Sequence, residues 1–277
     1  MQNVDVTDRI WSHILNIRAG QAYSCCGTWT AGEQAAVDLY GPLARRDMGQ
    51  MAVGQIGQSL DGRIATVAGD ARDVSGPDGL CHLHRMRALV DAVVIGVRTA
   101  LHDKPRLSVR LCGGESPARV VIDPRGRLPD DSPVFRADGS RRIVVQAVSC
   151  SRPPGVEVLR LPKTPEGRLD PRAILSELHR AGLASVLIEG GGITIGHFLE
   201  AGLLARLQVA VSPLLIGGGP AGLNTRNPVT KLADAIRPET RVFGLGSDIL
   251  FDCALTTAAQ QATQPVHADP LNTALQS

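Results

Sequence analysis

Hydrophobic and polar residues along this chain form short apolar runs that alternate with amphipathic segments. The runs at 185–188 and 91–97 are continuous and rich in β-branched residues, which is typical of strands buried on both faces of a sheet. Similar patterns predict strands from residue 51 and at 64–67, 119–123, 142–148, 156–159, 207–212 and 249–255. Apolar residues at helical spacing predict helices at 8–18, 31–40, 78–90, 170–182 and 192–202.

This alternation of strands and helices predicts an α/β fold with a mixed, mostly parallel sheet flanked by helices. We expect the consecutive strands at 119–160 and the final strand to add antiparallel neighbours. The chain divides into a helical N-terminal extension at 1–49, a main domain at 50–255, and a tail at 256–277 that is expected to be disordered. Both tryptophans and both tyrosines belong to the extension, so we expect it to pack on the main domain or on a partner subunit.

Composition and charge narrow the range of functions. The chain has 277 residues, 43% of them hydrophobic, and its formal net charge of +2 is too balanced for a nucleic-acid or membrane-surface protein. No apolar run approaches the roughly 18 residues of a membrane span. The first residues lack a signal-peptide pattern, so we expect a cytoplasmic protein. The six cysteines are scattered, as free thiols would be, and Cys81, His82 and His84 do not share a helix face, so no metal site is expected.

The segment around residue 189 carries the clearest candidate chemistry. Glu189 ends an apolar strand, and Gly190, Gly191 and Gly192 separate it from a helix. A glycine turn lets backbone N–H groups approach a ligand, and the positive end of a helix dipole favours phosphate or pyrophosphate. The alternative is that the glycines only form a tight turn. Glu189 favours a binding site, because ligands bind at the carboxyl ends of such strands.

Arg87 lies within the apolar stripe of the helix predicted at 78–90, where Leu80, Leu83, Met86 and Val90 would face the core. A guanidinium in that position needs a carboxylate or an anion. The sequence leaves a structural salt bridge and a phosphate-bearing ligand as alternatives. The loop at 98–110 follows a buried strand and is rich in polar side chains, so it is expected at the same site.

Four separated motifs are similar to those of a known family. They read SLDGRIA at 59–65, LVDAVVIG at 89–96, TALHDKPRLSVR at 99–110 and IEGG at 188–191. In this order and spacing they resemble the pyrimidine reductase of riboflavin biosynthesis, the reductase half of a bifunctional deaminase–reductase. The resemblance covers about residues 50–255. The zinc signature of the deaminase half is absent from the sequence, so the resemblance implies reduction alone.

This resemblance implies a dihydrofolate-reductase-like fold, a homodimer and NADPH as the cofactor. The family reduces the ribosyl group of a phosphorylated pyrimidine, 5-amino-6-(5-phosphoribosylamino)uracil, by hydride transfer to C1′ of the opened sugar imine. The matched motifs imply cofactor contacts at Gly57, Thr99, Asp103, Gly191, Gly192, Ile193, Thr194, Ile195 and Gly196, and substrate contacts at Arg87, Leu107, Arg110 and Glu189. Glu189 is the expected catalytic residue, as a hydrogen-bond partner of the substrate or as a proton carrier near the imine. Asp61 is expected mainly to form the turn at 59–62.

Some positions depart from the family pattern, mostly around the expected substrate and nicotinamide. Gln55 stands where the family has a lysine, Ala71 where it has a serine, and Asp73 where it has a tryptophan. Gly192 and Ile193 replace a Pro-Thr pair. Pro124 replaces a second serine, and Arg125 is the next residue. The sequence therefore keeps two alternatives open. One is a reductase of another pyrimidine or of a pterin, and the other is a nucleotide-binding relative without catalysis.

Overall fold

The computed structural model describes residues 1–21, 27–47 and 49–255, and the predicted tail at 256–277 lies outside these residues. The strands are β1 (Gln2–Asn3), β2 (Met51–Ser59), β3 (Ala92–Gly96), β4 (Ala118–Ile122), β5 (Arg142–Gln146), β6 (Val156–Arg160), β7 (Ser185–Glu189), β8 (Arg206–Ser212), β9 (Glu239–Leu245) and β10 (Asp248–Ala254). The helices are α1 (Asp8–Arg18), α2 (Ala31–Ala44), α3 (Pro77–Ala88), α4 (Val97–Asp103), α5 (Pro171–Arg180) and α6 (Gly192–Glu200).

The described strands form one ten-stranded sheet in the order β1-β9-β10-β8-β2-β7-β3-β4-β5-β6. The central block from β8 to β6 is parallel throughout, and β10 runs antiparallel to both β8 and β9. The expected mixed, mostly parallel sheet flanked by helices is confirmed, and so is the antiparallel final strand. The strands β1 and β9 were not predicted.

The expected antiparallel pairing within residues 119–160 is wrong, because β4, β5 and β6 are parallel neighbours. Consecutive strands without a helical pattern between them usually form hairpins, whereas parallel strands need a crossover. Here the β4–β5 crossover is a loop that contains a short 3₁₀ turn, Pro133–Phe135, and it buries Val134 and Phe135. This turn supplies the apolar cover that a crossover helix would otherwise provide.

The strand predicted at 64–67 is also wrong. The only bridge here is an isolated one at the preceding Arg63, with Ala221, among the described residues; within the segment, Ile64 N donates to Pro220 O at 3.1 Å and Thr66 N to Asp70 O at 2.9 Å. Val67 is 86% exposed, so the apolar pattern there does not mark a buried strand.

Each face of the sheet is covered by its own apolar cluster. One cluster joins α1, α2 and α3 to the sheet and includes Ile14, Leu39 and Met86. The other joins α5 and α6 to the opposite face and includes Leu178 and Phe198. The large side chains of the N-terminal helices therefore pack on the main domain, which is one of the two expected arrangements, the other being packing on a partner subunit.

Helix α1 has the predicted bounds, but α2 continues four residues beyond the predicted end at Tyr40. It passes through Pro42, which has no N–H to donate to the carbonyl four residues earlier, that of Asp38. Arg241 Nη2 donates to that carbonyl instead, at 3.0 Å. A side chain from β9 thus satisfies the backbone group that the proline leaves free, and the helix continues.

Helix α3 differs from its prediction in the face that it buries. Leu80 is 37% exposed, whereas His82 and His84 are buried together with Met86 and Arg87. The apolar pattern predicted the wrong face, because buried polar groups are tolerated where they have hydrogen-bond partners. Nδ1 of His82 and Nδ1 of His84 each have one. His82 Nδ1 lies 2.9 Å from the hydroxyl of Tyr40 in α2.

The parallel block brings the carboxyl ends of β2, β3 and β7 to one edge of the sheet. This is the edge where open α/β sheets bind their ligands. In the described part of the chain, no helix has the length and apolarity needed to cross a membrane.

Candidate functional site

The end of β7 and the start of α6 form the centre of the candidate site. Glu189 is the last residue of β7 and is buried, and Gly190 follows with a φ of 76°, which favours glycine. Helix α6 begins at Gly192, and no side chain in the described part of the chain caps its N-terminus. The first N–H groups of a helix need acceptors, so this end of α6 offers donors and positive dipole charge to an anion.

The glycines of α6 have two separate purposes. A Cβ at Gly192 or Gly196 would overlap the backbone of Gly222 or Asn224, so both glycines let the 221–225 segment pack directly on the helix. Gly191 has no such contact, since a Cβ there would meet only the Thr99 hydroxyl at 3.3 Å. Close packing therefore explains why Gly192 and Gly196 are glycines, whereas no backbone atom packs against Gly191 in this way.

Thr99 connects the two helices that start at this edge. Its Oγ1 accepts a hydrogen bond from Gly191 N at 3.2 Å, which fixes the turn before α6 to helix α4. On the other side, a Cβ at Gly96 would meet the Thr194 hydroxyl at 2.5 Å, so the end of β3 and the first turn of α6 are also in contact. The structure thus brings Thr99, Gly191 and Thr194 together, as the motifs predict.

Arg87 and Glu189 form a buried bidentate ion pair. The Nε–Oε1 distance is 2.8 Å and the Nη2–Oε2 distance is 2.7 Å, and the two side chains are 8% and 5% exposed. Burial opposes the charge of the guanidinium, but the Glu189 carboxylate outweighs it and raises the pKa of Arg87. Of the two alternatives for Arg87, the structure shows the pairing with a carboxylate.

Arg106 and Arg110 form a cation cluster beside Arg87 of this neutral pair. The Arg110 side chain is exposed, and among the described residues it bonds only to Ser108, where its Nη1 donates to Oγ at 2.8 Å. Burial, together with the nearby Arg87 and Arg106, lowers the pKa of Arg110. Neither Arg106 nor Arg110 has an ion pair with a described residue, so the cluster has positive charge available for an anionic ligand.

The other predicted residues lie in the same region with differing exposure. Leu107 is buried, with a φ of 55° that is unusual for leucine. Asp103 is exposed and pairs with His102 at 2.8 Å, at the end of α4. Ile193 is 39% exposed, whereas Ile195 is buried in the core behind the first turn of α6. Gly57 lies in β2, where a Cβ would meet the hydroxyl of Ser75 at 2.5 Å.

Asp61 acts in the turn, as expected. Its carboxylate accepts hydrogen bonds from Ser59 Oγ at 2.6 Å, Ile216 N at 3.1 Å and Gly217 N at 2.7 Å. The hydroxyl and amide donors lower the pKa of Asp61 to about 2. The residue ties the β2 turn to the loop after β8.

Sequence reasoning missed His84, which lies under the cation cluster. Its Nδ1 accepts hydrogen bonds from Arg110 N at 2.9 Å and Leu111 N at 3.4 Å. Burial, Arg87 and Arg110 lower the pKa of His84 to about 4, so the ring is neutral at pH 7. His84 interrupts an apolar face of α3, and this interruption is the signal in the sequence that could have identified it.

Three of the departures from the family pattern, Gln55, Ala71 and Asp73, lie at two places. Gln55 is buried and aligned with Glu189 across the β2–β7 pairing, so it adjoins the ion pair. Ala71 and Asp73 belong to the loop before α3, and Asp73 has a φ of 61°. Within the described residues, no three His, Cys, Asp or Glu side chains are grouped so that they could hold a metal ion.

Much of the chain matches known proteins in sequence. Residues 52–237 match the RibD C-terminal domain family. The 2,5-diamino-6-ribosylamino-4(3H)-pyrimidinone 5′-phosphate reductase of Methanothermobacter thermautotrophicus is 35% identical over 205 residues, which cover 70% of this chain and 93% of that protein. The riboflavin biosynthesis protein RibD of Actinobacillus pleuropneumoniae is 30% identical over 203 residues, 70% of this chain and 54% of that protein. The chain therefore spans about half the length of this longer relative.

Solved structures show the same fold. A deaminase/5-amino-6-(5-phosphoribosylamino)uracil reductase from Thermotoga maritima aligns with a TM-score of 0.67 at 24% identity, covering 80% of this chain and 62% of that one. The riboflavin biosynthesis reductase Rib7 of Saccharomyces cerevisiae aligns with a TM-score of 0.62 at 19% identity, covering 90% and 98%. The family match over more than half of the chain and the 35% identical relative show that the chain belongs to the RibD C-terminal domain family, the reductases of riboflavin biosynthesis.

Proposed function

We propose that this protein is an NADPH-dependent reductase of a phosphoribosylated pyrimidine. Family membership implies a nicotinamide cofactor. The observation that carries the proposal is that the start of α6, which no described side chain caps, directly follows the buried Glu189, and that Arg106 and Arg110 lie near its partner Arg87. A dinucleotide and a sugar phosphate both need such a site.

The residues around α6 fit the cofactor. The free N–H groups at Gly192 and Ile193 suit its pyrophosphate, and Thr99 and Thr194 hold the turn in place. Asp103 at the end of α4 and Gly57 in β2 are the proposed contacts further along the cofactor, towards the nicotinamide at Gly57. Arg125 is exposed directly after β4 and is the candidate partner of the 2′-phosphate that distinguishes NADPH from NADH.

When bound, the cofactor supplies a hydride to C1′ of the opened sugar imine, and the imine nitrogen takes up a proton. Arg110 holds the substrate phosphate in this scheme, and Leu107 packs against the substrate. Each carboxylate oxygen of Glu189 accepts one bond from Arg87 and keeps a second lone pair. We therefore assign Glu189 the role of an oriented hydrogen-bond acceptor for a substrate N–H or O–H group.

Two substrates fit the proposal, and they differ in one substituent of the pyrimidine ring. The resemblance implies the 2-oxo compound 5-amino-6-(5-phosphoribosylamino)uracil. The 35% identical relative is named for the 2-amino compound. Gln55, which lies beside Glu189, carries both a donor and an acceptor and so suits either substituent.

Loss of NADPH absorbance in the presence of each pyrimidine tests the proposal. We expect oxidation that requires one of the two substrates and is lost in Glu189→Ala, with NADPH binding retained. Matched assays with NADH test the cofactor preference. NADPH binding without oxidation by either pyrimidine would support the non-catalytic alternative, and turnover of a pterin alone would support the other.

We also propose a homodimer. The face of β8, β9 and β10 opposite to the N-terminal helices exposes apolar side chains, with Ile249 39% and Phe251 38% exposed and Val209, Val211 and Val242 partly exposed beside them. An uncovered apolar sheet face favours a second subunit. Sedimentation of the wild type and of Phe251→Glu tests this, with a dimer expected for the first and a monomer for the second. The proposed activity, which uses an intracellular cofactor, implies a cytoplasmic location.

A further inference from the structure

The loop at 110–114 is held between the N-terminal helix α1 and helix α3. On the α3 side, a Cβ at Gly114 would lie 2.8 Å from the Cβ of Ala88, so the loop backbone lies directly on the helix. On the α1 side, the same position would lie 3.3 Å from a methyl group of Leu15. The loop therefore has little room to move as long as both helices are in place.

His84 fixes the start of this loop. Its Nδ1 accepts from the backbone N–H groups of Arg110 and Leu111, at 2.9 and 3.4 Å, and the side chain is buried. An imidazole nitrogen can accept only when it carries no proton, so the ring is the neutral tautomer protonated at Nε2. The backbone of Arg110 is thus anchored, while its guanidinium stays exposed.

Trp11 fixes the far end of the loop from α1. Its indole Nε1 donates to the carbonyl of Gly113 at 3.0 Å. The indole is itself held in place, because its ring packs edge-on against Tyr40 with centroids 5.8 Å apart and lies 5.9 Å from the guanidinium carbon of Arg85 in α3. The family match starts at residue 52, so this anchor comes from a part of the chain outside the matched domain.

We infer that Trp11 and His84 are positioning residues for Arg110, so that the N-terminal segment forms part of the substrate phosphate site without touching the substrate. This inference rests on the proposed function. A guanidinium binds phosphate well only when its fork is correctly oriented, and the orientation of Arg110 depends on a backbone held at both ends. Among the described residues, the Arg110 guanidinium bonds only to the hydroxyl and carbonyl of Ser108, so no described contact to another element orients the side chain.

The test compares Trp11→Phe with Glu33→Gln. Trp11→Phe keeps an aromatic ring and removes the bond to Gly113, whereas Glu33→Gln weakens the contacts of α1 with α2 through Thr7 and Arg9, away from the loop. We expect Trp11→Phe to raise the KM for the phosphorylated pyrimidine roughly three- to tenfold, which corresponds to one lost hydrogen bond. The kcat and the affinity for NADPH should not change, and Glu33→Gln should lower only the melting temperature.

A double-mutant cycle separates positioning from general loosening. Added to Arg110→Ala, Trp11→Phe should change the KM by less than about twofold, because the group that it positions is already gone. At the other anchor, His84→Leu should raise the KM, and His84→Asn, whose Oδ1 replaces the accepting nitrogen, should restore most of it. Additive effects in the cycle, or an equal KM increase in Glu33→Gln, would overturn the inference.

Binding of ribose 5-phosphate, measured by calorimetry, keeps this result separate from the proposed reaction. It should weaken in both Arg110→Ala and Trp11→Phe, whichever heterocycle the enzyme reduces. If ribose 5-phosphate binding responds in this way but neither pyrimidine is turned over, the proposed function fails and the positioning role stands. If the wild type does not bind ribose 5-phosphate, or binds it as tightly after Arg110→Ala, the positioning role fails.

Discussion

The two ends of strand β7 hold the same chemical pair in different surroundings. At its amino end, Asp91 pairs with the buried Arg18 of α1, and its second oxygen accepts from Ala184 N at 3.0 Å and from Ser185 N at 2.8 Å and Oγ at 2.9 Å. At its carboxyl end, Glu189 pairs with Arg87, and neither Glu189 oxygen has another partner among the described residues.

The difference lies in what each pair leaves available. At the amino end, two backbone N–H groups and one hydroxyl saturate one oxygen of the Asp91 carboxylate and Arg18 binds the other, so the pair holds α1 on the sheet. At the carboxyl end, the Glu189 oxygens keep free lone pairs, Arg110 adds positive charge, and the start of α6 has no cap. A buried ion pair thus becomes a binding site only where its neighbours leave groups unsatisfied.

Breaking the carboxyl-end pair should have the largest effect. Arg87→Leu leaves Glu189 buried without a counter-charge, which should lower the free energy of unfolding by about 3–5 kcal/mol. Urea denaturation measures this loss. The double variant Arg87→Leu/Glu189→Leu leaves no buried charge and should recover most of the stability but none of the turnover. A single variant as stable as the wild type would mean that Glu189 is not effectively buried.

Acid should lower the free energy of unfolding, because His82 of α3 is buried. Burial lowers the pKa of His82 from 6.5 to about 4, and the charge of Arg85 adds to this shift. Gln208 and Asp252 oppose it. Between these values the unfolded chain binds a proton that the folded protein does not, so stability falls as the pH decreases. The loss should reach roughly 3 kcal/mol by pH 4.

Chemical denaturation at a series of pH values measures this loss. His82→Gln serves as the control, because it keeps a polar group beside Tyr40 and does not titrate. The difference in stability between this variant and the wild type should therefore shift with pH across the same window. A difference that stays constant from pH 7 to pH 4 would contradict the proposed titration.

Breaking the Arg18–Asp91 pair tests whether the two ends of β7 act independently. Asp91→Asn keeps an oxygen for the backbone donors but removes the charge that faces Arg18, which should cost about 1–3 kcal/mol of stability. Because this pair binds no ligand, the KM and kcat of the folded enzyme should equal those of the wild type. A rise in the substrate KM of Asp91→Asn at temperatures well below its melting point would show that the two ends are coupled.

The smallest effect is expected at the exposed rim of the site. Arg110→Lys keeps the charge but loses the planar fork, so the KM for the phosphorylated pyrimidine should rise by roughly tenfold or less. The melting temperature should not change, because this side chain is exposed and forms no ion pair with a described residue. An unchanged KM would remove Arg110 from the proposed phosphate site.

Much of the fold and part of the site could be predicted, because the signals are local. The apolar run before Glu189, the glycines after it and the capped start of α1 each lie within a few residues of one another. Strand direction could not be predicted at 119–160, because the loop that carries β4 to β5 leaves no helical pattern in the sequence. The missed strand β9 follows a long irregular segment and has only three buried residues at its end.

Residue type and short-range spacing are enough to predict the α/β architecture, the turn at Gly190 and the need of Arg87 for an anionic partner. Long-range packing selects Glu189, 102 residues away, as that partner, and brings Trp11 to Gly113, also 102 residues away. From the sequence alone, several carboxylates could serve equally well as the partner of Arg87. The packing of α1 and α3 on the sheet brings one of them within hydrogen-bonding distance, which is why the choice is made only in the folded chain.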